Sequence, residues 1–72
     1  MKIRVMGFPQ GTSKDHIEKL FNVVGTVSNV KKKKGKNTAY VIMPHEQQAK
    51  KAVKLLNGAN LMGKKIRVEE CQ

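Results

Sequence analysis

The sequence predicts an α+β fold: a ferredoxin-like β-α-β-β-α-β sandwich with two helices on one face of a four-stranded antiparallel sheet. Three observations carry this. Ile3-Arg4-Val5-Met6-Gly7-Phe8 and Lys36-Asn37-Thr38-Ala39-Tyr40-Val41-Ile42-Met43 both alternate at period 2, the mark of strands with one face in a core. Two other stretches repeat apolar residues at helical spacing. The turn and cap residues between them order the elements as strand, helix, strand, strand, helix, strand.

The first strand spans Lys2 to Phe8, and Pro9-Gln10-Gly11 ends it, because proline cannot donate to a ladder and glycine supplies the turn. Thr12 and Ser13 are both suitable N-caps for the first helix, with Asp15 placing acidic charge in its first turn. Ile17, Leu20, Phe21 and Val24 form its apolar stripe, and Gly25 stands where a left-handed C-terminal residue is expected. The second strand runs from Thr26 to about Lys34, and Gly35 turns the chain into the third, Lys36 to Met43, which Pro44 stops. The second helix starts at His45 or Glu46 and reaches Asn57, with Ala49, Ala52, Val53 and Leu56 on one face and Gly58 at its end. Lys64 to Glu69, where Ile66 and Val68 alternate with Lys65, Arg67 and Glu69, is the fourth strand. Right-handed crossovers place the first and third strands side by side at the sheet centre. Arg4, Thr38 and Tyr40 then share the face that the helices leave open.

Composition limits what such a body does. Seventy-two residues allow one two-layer domain with a stability margin of roughly 3–5 kcal/mol, and leave no room for an elaborate catalytic pocket. Fifteen Lys and Arg against five Asp and Glu give a net charge of +10, a field that favours a polyanion as partner. Lys31-Lys32-Lys33-Lys34, with Lys36, is the densest cluster, and Lys64, Lys65 and Arg67 extend the basic edge until Glu69 and Glu70 interrupt it. The single cysteine, Cys71, is read as a free thiol in a frayed tail, which predicts a reducing, intracellular compartment. No apolar run approaches a membrane span, and the first residues lack a secretory apolar region. The chain starts almost in one strand and stops just after another, so residues 1–72 are expected to be one domain of a longer protein.

The sequence also resembles a family, the RNA-recognition motif (RRM), over essentially its whole length. Lys36 to Met43 resembles the family's eight-residue ribonucleoprotein motif, and Ile3 to Phe8 its six-residue companion. Asn57-Gly58-Ala59-Asn60-Leu61-Met62-Gly63-Lys64-Lys65-Ile66-Arg67-Val68 is similar to the family's passage from second helix to fourth strand. The resemblance implies RNA binding on the open sheet face, with bases stacked on aromatics at the positions occupied here by Arg4, Thr38 and Tyr40. One aromatic of three is kept, so the expected binder of single-stranded or loop RNA is modest in affinity. Tyr40 is the stacking anchor. Arg4 is either a second stacking plane or phosphate partner, or a solvated cation. Thr38 offers a hydroxyl, Met6 and Ile42 add apolar area beside Tyr40, and Lys31, Lys33, Lys34, Lys36, Lys65 and Arg67 are the expected phosphate contacts. Asn37 stands where the motif has glycine. Met43 stands where it has a final aromatic, at a position that faces the core. The nucleus is the family's commoner address.

Enzymatic chemistry finds no constellation. His16 and His45 are isolated, each near a helix start, and with Cys71 they make no metal-ligand spacing. No glycine-rich phosphate loop and no nucleophile with base and orienter is present, so neither catalysis nor a cofactor is expected. The alternative function is a protein-protein interaction module of the same fold within a larger RNA-processing assembly. A branch of the family that binds tryptophan-bearing peptides carries Arg-x-Phe after the second helix, where this chain has Ala59-Asn60-Leu61. The chain is otherwise expected to be monomeric and to have no membrane partner.

Overall fold

A computed structural model describes residues 1–33 and 36–71 of the chain. The elements follow the order β1 (Lys2–Met6), α1 (Lys14–Asn22), β2 (Asn29–Lys32), β3 (Thr38–Ile42), α2 (Glu46–Leu56), β4 (Asn60–Leu61), β5 (Lys64–Lys65) and β6 (Arg67–Cys71). Four strands form one antiparallel sheet in the order β2-β3-β1-β6, so β1 and β3 are central neighbours as the crossover rule predicts.

The alternation of each strand decides which side chains enter the core. Ile3, Val5, Val30, Ala39, Val41 and Val68 point inward, where Ile17 and Phe21 of α1 and Ala49 and Ala52 of α2 cover them. Leu20, Val24, Val53 and Leu56 complete both helical stripes as half-buried residues. The small Ala49 and Ala52 bring α2 close to the sheet. Met43, at the final motif position, is fully buried, in keeping with its expected core role.

Several boundaries differ from the sequence reading, each for a backbone reason. β1 ends at Met6 because Gly7 turns left-handed, at φ 83°, and its N–H donates to the Asn37 carbonyl at 3.1 Å. Phe8 therefore leaves the strand and plugs the core. β2 begins three residues later than expected, since the Thr26 N–H is taken by the Gln48 side chain at 2.8 Å rather than by a ladder partner. Ser13 rather than Thr12 caps α1, accepting from the His16 N–H, while the Thr12 hydroxyl is buried and donates to the Pro9 carbonyl. His45 stands at the N-cap of α2, but its side chain makes no capping hydrogen bond. The predicted fourth strand is split. Lys64–Lys65 turns back on Asn60–Leu61 through Met62 and Gly63, both left-handed as a two-residue type I′ turn requires, and only Arg67–Cys71 joins the main sheet. Cys71 is paired opposite Lys2 and half-buried, not part of a frayed tail. The expected turn at Gly35 and the cation at Lys34 lie outside the described residues.

Gly25 also has a different reason from the one its position suggests. It is not among the left-handed glycines. A Cβ there would lie 2.4 to 2.7 Å from the Oε1, Cδ and Cβ atoms of Gln48, the side chain that holds the Thr26 N–H. Gly25→Ala is accordingly expected to displace Gln48 and cost roughly 1–3 kcal/mol, the usual range for overpacking, measured as a lower urea midpoint with unchanged slope.

Candidate nucleic-acid interface

The residues of β1 and β3 that do not enter the core face away from both helices, and the strand registers set them in rows. Arg4 lies opposite Tyr40 on one side and Glu69 on the other, with Lys31 beyond Tyr40. Lys2 lies between Ile42 and Cys71, with Asn29 beyond Ile42. Met6 lies between Thr38 and Arg67, and the Lys33 N–H donates to the Thr38 carbonyl at 2.9 Å. These rows bring together Arg4, Met6, Thr38, Tyr40, Lys31, Lys33 and Arg67 of the expected set. They carry five cations, Lys2, Arg4, Lys31, Lys33 and Arg67, around one aromatic and one carboxylate, Glu69.

Tyr40 is the centre of this charge. The Lys2 ammonium sits over its ring at 4.6 Å from the centroid and that of Lys33 at 5.8 Å. A shallow pocket of about 210 Å³, lined by Lys2, Asn29, Lys31, Tyr40 and Ile42, opens beside the ring. It is smaller than the roughly 300–1,000 Å³ of a small-molecule site and suits the edge of one flat group. Ile42 stands beside Tyr40 as expected, whereas Lys2 and Asn29 are not among the expected contact residues. The available signal is the period-2 count outward from Arg4 and Lys31, which places both on the same face.

Arg4 is not a free guanidinium plane. Its Nε and Nη2 both donate to Oε1 of Glu69, across the β1–β6 pair. The hydrogen bond and charge of Arg4 hold the Glu69 carboxyl below its ordinary range, and the same partner raises Arg4 further. Both groups are open to water, so the pair contributes little stability. What it changes is availability, because Arg4 must leave Glu69 before it can serve another anion.

The lysine run divides by strand alternation. Lys31 and Lys33 serve the open face, but Lys32 points the other way. Its ammonium donates to the Thr12 carbonyl and lies 5.7 Å from the centroid of the buried Phe8 ring. Lys36 is exposed in the bend, its N–H donating to the Lys33 carbonyl. Lys65 belongs to the β4–β5 hairpin and is exposed there, so the rows of the main sheet do not include it. Among the described residues no group of three or more His, Cys, Asp or Glu side chains is placed to hold a metal ion, and no helix is long and apolar enough to cross a membrane.

The model of the RNA recognition motif family matches residues 3–67. Solved structures of the same fold include the RRM domain of S. pombe Puf1, at TM-score 0.92 and 23% identity, covering 100% of this chain and 99% of that one. The RRM3 domain of Mip6 superposes at TM-score 0.91 with 27% identity, covering 99% and 92%. RNA recognition domains 1 and 2 of Sex-lethal from Drosophila melanogaster superpose at TM-score 0.87 with 22% identity, covering 99% of this chain and 49% of that one. An Sxl-lethal protein/RNA complex is also similar, at TM-score 0.87 and 22% identity, covering 99% and 46%. Among curated proteins there is no match.

Proposed function

The chain belongs to the RNA recognition motif family, generally an RNA-binding and non-enzymatic domain, and from that premise we propose that its open sheet takes single-stranded or loop RNA with modest affinity. One base stacks on Tyr40, and Lys2, Lys31 and Lys33 hold the flanking phosphates. The observation that carries this reading is the set of four cations about the single exposed-face aromatic, Lys2 and Lys33 over its ring and Arg4 and Lys31 opposite it on either side. A protein of this fold solved with RNA adds support.

Magnitudes favour the exchange that binding requires. An ammonium over an exposed ring is worth about 0.5–1 kcal/mol, whereas a base stacked on an aromatic is worth roughly 1–3 kcal/mol. The base therefore displaces Lys2 from the ring, and Lys2 moves to a phosphate without losing its charge. Thr38 and Met6 border the stack with a hydroxyl and apolar area. With Arg4 tied to Glu69, there is one stacking site instead of three.

Fluorescence anisotropy with a short single-stranded RNA, repeated across salt concentrations, tests the proposal. Three phosphate contacts give a slope of log affinity against log salt near −2, at about −0.7 per contact. Absence of binding at low salt would overturn it.

Glu69→Gln should strengthen binding. It removes the only carboxylate of the rows and frees Arg4, so the salt slope is expected to steepen by about 0.7, one further phosphate. The pH dependence has the same origin. Because the folded pKa of Glu69 is lowered, its small contribution to stability is complete above the ordinary glutamate value, about 4.3, and is lost as pH falls through the lower folded value. Protonation there also releases Arg4.

A further inference from the structure

We propose that the pocket beside Tyr40 seats a terminal phosphate monoester of the RNA, an inference that rests on the RNA-binding reading above. An oligomer ending in phosphate at the matching end is then preferred to one ending in hydroxyl. The pocket draws its lining from β1, β2 and β3, and β2 is an edge strand of the sheet. A nucleotide chain lying across the rows leaves the sheet at that edge, and one of its ends comes to it. With a base over the Tyr40 ring, the space beside the ring falls to the group carried by the sugar.

The lining suits a phosphate. The Lys2 and Lys31 side chains end in ammonium groups, and Asn29 adds an amide NH2. The Asn29 Oδ1 accepts from the Val30 N–H at 2.9 Å, which orients that amide. Lys2 lines the pocket as well as covering the ring, so a base that displaces its ammonium leaves it at the seat. None of the lining side chains is acidic. The carboxylate of the rows, Glu69, stands two strands beyond Tyr40 and is held by Arg4. A phosphate here meets donors and positive charge without a competing anion.

Charge and oxygen count favour a monoester over a diester. A phosphate monoester carries about −1.5 to −2 near neutral pH and presents three free oxygens, whereas a diester joining two nucleotides carries a single charge and presents two. The Lys2, Lys31 and Asn29 donors match three oxygens, and a diester leaves one of them without an oxygen of its own. A diester must also pass chain out on both sides of the seat, which a terminal group does not. An added ion pair open to solvent changes affinity by a factor of up to about five. That is the size of the expected preference.

The test uses unlabelled hexauridines that compete with a fluorescent RNA for the whole chain at one low salt concentration. One hexamer ends in hydroxyl at both ends, one carries a 5′-phosphate and one a 3′-phosphate. The polarity of the strand on the sheet brings only one end to β2. Phosphate at that end is expected to tighten binding about fivefold, and phosphate at the other end to change it little. Long-range attraction to the net charge alone would reward both ends alike. Lys31→Met removes one ammonium from the seat and is expected to lower the ratio to about two or below. Lys51→Met removes the same charge from the exposed side of α2 and should leave the ratio at about five. Equal gains at both ends, no gain at either, or a ratio that the two substitutions change alike overturns the terminal seat and leaves RNA binding standing. If no hexamer competes, the RNA-binding reading itself fails and the seat falls with it.

Discussion

Tyr40→Ala is expected to weaken single-stranded RNA binding by a factor of roughly 5–150, the equivalent of one lost base stack at about 1–3 kcal/mol. Because the ring is the only aromatic on the open face, no neighbouring side chain replaces it. The substitution leaves Lys2, Lys31 and Lys33 in place, so the slope against salt should stay near its original value while the whole line moves down. That combination distinguishes a stacking anchor from an aromatic that merely covers the sheet. Tyr40 is half-exposed and outside the core cluster, so the far-ultraviolet circular dichroism should be retained. Calorimetry or anisotropy at several salt concentrations reads both quantities.

Phe21→Ala should have the larger effect on the molecule itself. Phe21 is fully buried on α1, against the sheet face opposite the proposed interface. Removing a buried phenyl ring costs about 3–5 kcal/mol, the transfer of its surface plus the cavity left behind. A chain of this size has a margin of similar magnitude. The variant is therefore expected to be substantially unfolded at room temperature, with a urea transition shifted to or below zero denaturant and RNA binding lost only because the fold is lost. Retention of a cooperative transition close to that of the unaltered chain would show that α1 contributes less to the core than its burial indicates.

The comparison of these two aromatics shows what the sequence made legible. Period-2 alternation puts Tyr40 outside, and helical spacing puts Phe21 inside. Element order and the central β1–β3 pairing followed from the same patterns and from crossover handedness. What local pattern does not carry is pairing between distant strands. Glu69 lies 65 residues from Arg4 in sequence, and only the β1–β6 register brings them together. Arg4 therefore looked equally suited to stacking and to solvation, when it has a third arrangement as half of an ion pair. The lysine run illustrates an opposite error. Read as a block of charge, it hid the alternation that sends Lys32 to Phe8 and Thr12 while Lys31 and Lys33 face Tyr40. Asn29 is hidden for a related reason, since its position two residues before Lys31 marks its face but nothing local shows that its side chain accepts from the Val30 N–H. Gly25 had a sequence explanation of the right kind at the wrong level, because the constraint is Gln48 packing from another helix rather than backbone handedness.

Residue-resolved amide shifts on titration with a short single-stranded RNA test most directly whether the open sheet is the binding surface. The account predicts the largest changes at Lys2, Arg4, Lys31, Thr38, Tyr40 and Ile42, with Lys50, Lys51 and Lys54 of α2 nearly still. Changes concentrated on Lys50, Lys51 and Lys54, with Tyr40 unmoved, would contradict it and place the polyanion contact on the helical face.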